Sequence, residues 1–291
     1  MTPQEVPNPF QEAVSISNRS DKVMVSGIST LKKSIKKLTG KALCATGLFT
    51  YLAKSWVPVV AFHRVNNRGK NDGLTCDVKT FKEFCRVFSQ EFDVVSIGTL
   101  TERLKRREGI KNLLAITFDD GYVDNYEEAA PILQQFGLPA TFFVSTGFID
   151  TDLIAFWDEA AGVREKWMTW AQVSALHRTG FEIGAHTRTH VDLGKAMPDV
   201  AWSEIVGSRL DLEVQLGIKA TSFAYPFGRQ NHLLEGNLEL VRQAGFECCC
   251  SCYGGINHGN TNVYNLHRIP IGSWFHSPLE FVCELLREPF R

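Results

Sequence analysis

From Pro58 onward the chain repeats one pattern, and that pattern leaves few folds open. A helix-like segment ends at a glycine, and a short β-rich run follows almost at once. Gly137 precedes the run 140–145, Gly180 the run 181–185, Gly217 the run 220–225 and Gly245 the run 246–252. A glycine just past a helix end can take the left-handed conformation that closes the last turn and lets the chain reverse into a strand. Earlier runs of the same kind are 57–62, 94–97 and 113–118, and 264–271 closes the series. The runs are continuously apolar rather than alternating, which suits parallel strands covered on both faces. Seven or eight such strand–helix units predict an α/β fold, a distorted TIM-like (β/α) barrel over residues 57–291, with residues 1–56 as an N-terminal arm and helical extension.

Composition narrows the function classes. With 291 residues, 44% hydrophobic and 22% charged, the chain has the balance of a water-soluble domain with a sizeable core. Its 31 Lys and Arg against 32 Asp and Glu create no global field for nucleic acid or another polyanion, so a neutral substrate fits better. The eight cysteines are not spaced as a secreted disulfide framework, and residues 1–21 show no export signal, so a cytoplasmic location is the expectation. The apolar stretch 42–53 is far short of the roughly 20 residues that span a bilayer. Ile28, Leu31, Ile35, Leu38 and Ala42 recur at helical spacing, with Lys32, Lys33, Lys36 and Lys37 on the other side. Such a helix fits either peripheral contact of residues 28–54 with an anionic membrane or a solvated helix packed on the domain, and the lack of Trp and Phe on its apolar face favours the second.

The chemistry-bearing residues lie at the ends of these runs, which in a parallel barrel is the catalytic face. Residues 113–118 lead straight into Asp119-Asp120-Gly121. Two neighbouring carboxylates can converge on one pocket only if the strand breaks into a turn, and Gly121 supplies that freedom. Taken alone, the motif reads better as a solvated turn. The run 181–185 ends in His186-Thr187-Arg188-Thr189-His190, whose i, i+4 histidines on a helical turn would face one metal ion. Two imidazoles and one carboxylate, with positions left for water, form the donor set of a catalytic metal. Zinc fits first, and cobalt, nickel, manganese or iron would accept the same ligands. A bound dication acidifies its water, and Asp119 beside Asp120 is placed to take the proton. A third run ends in Tyr225-Pro226-Phe227-Gly228, which by itself is as well explained as a proline-stopped turn.

Together, Thr117-Phe118-Asp119-Asp120-Gly121-Tyr122, the His186/His190 pair and Phe223-Ala224-Tyr225-Pro226-Phe227-Gly228 resemble, in order, the first three motifs of the polysaccharide deacetylase family. The resemblance covers roughly residues 57–272 and looks closest to the exopolysaccharide-associated and poly-N-acetylglucosamine-type members. It implies hydrolysis of N-acetyl groups on an N-acetylglucosamine-containing oligo- or polysaccharide, with Asp119 as general base and Asp120, His186 and His190 as metal ligands. It also implies that Tyr225, Pro226 and Phe227 border the substrate, with a backbone N–H near Phe227 helping the metal stabilise a tetrahedral intermediate. Where many members carry an arginine that orients the base, this chain has Ala224. His63 and His267 are the candidates for general acid, His63 ranked first, with His276 a third. Trp157, Trp167, Trp170 and Trp274 could stack on sugars, although each more simply packs in the core or rim. The run Cys248-Cys249-Cys250-Ser251-Cys252 reads as a buried strand of small hydrophobes rather than a thiolate site. Rival readings are a hydrolase of cyclic amides or other acylated small molecules, a non-haem iron oxygenase, and a catalytically silent carbohydrate-binding barrel.

Overall fold

The computed structural model describes residues 33–52, 55–68, 72–253 and 255–286. Ten strands are present: β1 (Val59–Phe62), β2 (Arg64–Val65), β3 (Thr75–Cys76), β4 (Asp93–Val95), β5 (Leu113–Phe118), β6 (Thr141–Val144), β7 (Glu182–Ala185), β8 (Ser222–Ala224), β9 (Cys248–Cys250) and β10 (Ile269–Pro270). The main sheet runs β10-β1-β5-β6-β7-β8-β9, with β4 paired to the start of β5, and every pairing in it is parallel. The segment 266–271 touches both ends of this path. Leu266 N–H donates to Cys249 O at 2.9 Å and Ile271 N–H to Ala61 O at 2.8 Å, which curls the sheet into the expected distorted barrel.

The connecting helices are α1 (Val78–Glu91), α2 (Ile97–Lys105), α3 (Ala130–Phe136), α4 (Phe156–Ala161), α5 (Trp170–Arg178), α6 (Pro198–Leu216), α7 (Glu235–Gln243) and α8 (Pro278–Leu285). The glycine cadence has its physical basis at Gly137 and Gly217, which close α3 and α6 with φ of 64° and 67°. Residue 97, expected at the end of a strand, instead opens α2, because Ser96 caps the N–H of Thr99.

Strand parity divides the core in two. Val60, Phe62, Ile116, Phe118, Phe142, Ile183, Phe223 and Cys249 pack outward under the helices. Val59, Ala115, Phe143, Ala224, Cys248, Cys250 and Leu266 fill the interior. Cys248, Cys249 and Cys250 therefore alternate between the two faces, and no disulfide is formed among the described cysteines. Continuing the inward parity past β5 and β7 brings Asp119 and His186 to one rim, and the inward Arg268, just before β10, reaches Asp119 from within the barrel.

The N-terminal helix differs from expectation. Residues 28 and 31 lie outside the described residues; 33–45 are helical, followed by Leu48–Leu52. Gly40, Leu43 and Cys44 face the domain and Lys36 pairs with Glu284, while Ile35 and Leu38 are exposed at 54% and 69%. Ile35 and Leu38 thus point away from the domain, while Gly40, without a side chain, lets the helix approach the backbone of Leu279 in α8. Among the described residues no helix is long and apolar enough to cross a membrane.

Candidate active site

Asp119 and Asp120 follow β5 directly and are both buried. The convergence of the two carboxylates uses more than Gly121. Asp120 itself adopts φ 75°, with Gly121 at 98°, so the chain turns in the left-handed region just where the second carboxylate must swing into the pocket. The histidine pair does not ride on a helical turn as its spacing suggested. His186 follows β7, and residues 187–190 form a bent loop with Thr187 at φ 60° and His190 at φ 55°. Phe227 is also left-handed, at 60°, so four of the seven described non-glycine residues with positive φ border one pocket. Strain of this kind costs on the order of 1–3 kcal/mol per residue and persists where surrounding contacts overdetermine it.

Asp120 Oδ1 lies 3.4 Å from His186 Nε2 and 3.3 Å from His190 Nε2. The three ligand atoms lie within 4.8 Å of one another, the one such group among the described residues. Asp120 Oδ1 and His190 Nδ1 are buried with no hydrogen-bond partner among the described residues. A buried carboxylate oxygen aimed at two imidazole nitrogens without a good hydrogen bond is poorly satisfied by protein alone, and it suits a divalent cation. His186 Nδ1 sits 2.8 Å from Ala224 O, which fixes the ring and leaves Nε2 facing Asp120, where it could take a cation. Burial pushes His190 down to about 4, so it is neutral and ready to ligate near pH 7. Burial opposes charge on Asp120 as well, yet His186 and His190 hold its carboxyl below the usual range.

Asp119 has a different set of partners. The Arg268 guanidinium forks onto it, with Nη1 to Oδ1 at 2.7 Å and Nη2 to Oδ2 at 2.8 Å, while His186 Nε2 is 4.0 Å away. Arg268 is 1% exposed and is otherwise satisfied by Ser251 O at 2.9 Å and Thr117 Oγ1 at 3.1 Å. Burial alone would raise the Asp119 carboxyl; Arg268 and then His186 overcome it and hold the group below its ordinary value. Arg268 thus makes, from a different strand, a contact to Asp119 that Ala224 has no side chain to make. The sequence reading missed it, although parity was the available signal: in the run Leu266-His267-Arg268, an inward Leu266 makes Arg268 inward and His267 outward.

His267 accordingly lies away from the cluster. Its Nδ1 is 3.0 Å from Tyr253 O and its N–H donates to Asn257 Oδ1, and the structure does not bring it to Asp119. His276 is exposed on the segment leading to α8. His63, after β1, is half-buried and close enough to interact electrostatically with Asp119, Asp120 and His190. In the third motif Tyr225 and Pro226 are buried, and Tyr225 packs on Phe223 in the outer core; only Phe227 reaches the mouth, its ring 4.8 Å from that of His190. Trp167 is stacked between Tyr122 and Phe148 in the core, whereas Trp157 lies 4.4 Å from the His190 ring. Trp157 is held there by a chain the sequence reading did not anticipate. Its Nε1 donates to Tyr122 Oη at 2.7 Å, Tyr122 donates to Asp158 at 2.8 Å, and Asp158 pairs with the buried Arg64.

Comparisons with known proteins bear on the family and the fold. Residues 106–249 match the sequence model of the family described as polysaccharide deacetylase. YxkH of Bacillus subtilis (strain 168) is 28% identical over 156 residues, 54% of this chain and 50% of that one. The poly-β-1,6-N-acetyl-D-glucosamine N-deacetylase of Escherichia coli (strain K12) is 31% identical over 221 residues, 65% of this chain and 32% of that one. The chain thus spans half or less of the length of these curated relatives. Among solved structures, the Streptococcus pyogenes deacetylase PplD in complex with acetate superposes with a TM-score of 0.66 at 24% identity, over 79% of this chain and 97% of that one. With the barrel, the paired aspartates and the two histidines arranged as described, the chain carries a domain of the polysaccharide deacetylase family over residues 106–249.

Proposed function

We propose that this chain hydrolyses the N-acetyl group of N-acetylglucosamine units in an oligo- or polysaccharide, releasing acetate. The observation that carries the reading is the unequal treatment of two adjacent carboxylates: Asp120 faces the two histidines, whereas Asp119 is claimed on both oxygens by Arg268. This difference supports a ligand role for Asp120 and a base role for Asp119.

Asp120, His186 and His190 would hold the metal, with zinc the first choice for two imidazoles and a carboxylate. Bound there, a divalent cation supplies Lewis-acid polarisation of the acetyl carbonyl and lowers the pKa of a water from 15.7 toward about 7. Asp119, kept ionised by Arg268, accepts the proton from the attacking water at a carboxylate oxygen. The Phe227 N–H, which donates to no acceptor among the described residues, is available to the developing oxyanion at the mouth. His63 donates the proton that the leaving sugar amine requires. The exposed rings of Phe227 and Phe156 flank the opening and offer apolar faces to a sugar.

The test is acetate release from N-acetylglucosamine oligomers by the purified protein. Activity should be lost on treatment with a chelator and return with zinc. Metal-replete protein that releases no acetate from these oligomers, yet opens cyclic imides, would overturn the substrate assignment.

We also propose that residues 33–52 rest on an anionic membrane surface. Seven lysines and no acidic residue lie between residues 22 and 63, and Leu38 and Tyr51 are 69% and 65% exposed on the same segment. Lysines near such a surface contribute about 1 kcal/mol each and apolar side chains add burial. The protein should sediment with vesicles containing phosphatidylglycerol, not with phosphatidylcholine alone, and Leu38→Asp with Tyr51→Asp should abolish binding. Equal recovery of that double variant with the vesicles would refute the contact.

A further inference from the structure

The loop that carries His190 is held from outside the pocket by one face of α6. Glu204 Oε2 accepts the backbone N–H groups of both Arg188 and Thr189 at 2.8 Å, and its Oε1 accepts the Thr189 hydroxyl at 2.8 Å. Two helical turns on, Asp211 takes the Arg188 guanidinium at 2.8 and 2.6 Å and the Thr146 hydroxyl at 2.7 Å. Gly207 lies between them on the same face. A Cβ there would stand 2.6 Å from Arg188 Nε, so the glycine opens the groove in which the arginine lies.

The other side of the loop is tied to the chain leaving β6. Thr146 N–H donates to Thr187 O at 3.2 Å, Gly147 N–H to Arg188 O at 2.9 Å, and Ser145 Oγ to His186 O at 3.0 Å. Asp211 joins the two sides, because it binds both Thr146 and Arg188.

The two histidines depend on this frame unequally. His186 is fixed by its strand and by Ala224 O. His190 has no hydrogen bond on Nδ1 among the described residues, and it ends a loop with two left-handed residues, one of them the β-branched Thr187. Its place beside Asp120 is therefore set by the backbone of 187–190 and by the flanking rings of Trp157 and Phe227.

We infer that Glu204, Gly207 and Asp211 form a clamp on the strained 187–190 loop, and that these positioning residues set the affinity of the site for its metal by holding His190 in ligating geometry. The inference rests on the reading of Asp120, His186 and His190 as metal ligands. Nothing in it requires α6 to touch substrate.

The experiment is a zinc titration of the full chain against a chelating indicator, with amide exchange of residues 187–190 followed in parallel. Glu204→Ala and Gly207→Ala should each weaken zinc binding by about 10- to 100-fold, the range found for residues that orient metal ligands. Both should speed exchange at Arg188 and Thr189, and saturating zinc should restore turnover. Glu204→Gln, which keeps the shape and one carbonyl acceptor, should fall between Ala and wild type and serves if Glu204→Ala does not fold. Ser203→Ala, on the solvent side of α6, should leave zinc affinity unchanged. Folded clamp variants that bind zinc as tightly as wild type, with or without a lower melting temperature, would overturn the clamp. Wild-type protein that binds no divalent metal would instead sink the ligand assignment, and unchanged loop exchange in Glu204→Ala would then remove the clamp as well.

Discussion

Asp119→Asn should lower kcat/KM by about 10²- to 10⁴-fold, the contribution of a positioned general base, while zinc content stays near one ion per chain. The division of partners at the rim leads to this result. Asparagine keeps the size of the side chain and can still accept one hydrogen bond from Arg268, but it cannot take a proton from water. The proposed ligands are Asp120, His186 and His190, so the substitution should leave the metal site complete. Asp120→Asn should do the reverse and lose metal along with activity. Metal analysis and steady-state acetate release on the same preparations check both. Near-normal turnover in Asp119→Asn would mean that another group removes the proton, and loss of metal would place Asp119 among the ligands. His63→Asn in the same assay should lower kcat and leave the metal in place, because His63 borders the cluster without belonging to it.

Much of this site was legible in the residues because the barrel imposes simple rules. Runs of continuous apolar residues gave the strands, glycines gave the helix ends, and polar residues just past the runs gave the rim. His186, Asp119 and Asp120 were found for that reason. The local geometry was harder. A four-residue spacing suggested a helical turn for His186 and His190, whereas the chain reaches the same convergence through left-handed Thr187 and His190. Sequence spacing cannot separate these, because both bring the imidazoles together and only tertiary contacts from α6 and the β6 exit stabilise the second. The third motif was misjudged in a similar way. Tyr225 shares the outward parity of Phe223, so it packs in the outer core, and only Phe227, past the strand, turns toward the pocket.

Arg268 shows the same rule left unused. The family resemblance makes His267 a candidate acid, yet alternation along 266–268 assigns the arginine to the interior and the histidine outward. A charged side chain facing into a barrel needs a partner of opposite sign, and Asp119 supplies it on both oxygens. Its consequence is larger than orientation. The Asp119 carboxylate is buried, and without compensation burial would favour its protonated, inactive form.

Arg268→Met should therefore damage stability and catalysis together, with a pH signature that separates them. Removing one partner of a buried pair costs about 3–5 kcal/mol near neutral pH, because the other charge is left uncompensated. In the wild type, the native Asp119 carboxyl titrates below its unfolded value of about 3.9, so its contribution is fully present above that pH and is lost as pH falls through the native value. In Arg268→Met the sign reverses: burial raises the carboxyl above its unfolded value, and the group destabilises the fold increasingly as pH rises. The stability gap between variant and wild type should be large at pH 8 and shrink toward about pH 4, where the unfolded carboxyl is half protonated. The acid limb of kcat/KM should move to higher pH for the same reason, since the base is protonated over more of the range. Arg268→Lys, which restores the charge without the two-pronged geometry, should return most of the pH profile and only part of the rate. Urea unfolding and pH–rate profiles measure both effects; a stability gap that does not change between pH 8 and 4, with an unmoved acid limb, would show that Arg268 fills space rather than keeping Asp119 charged.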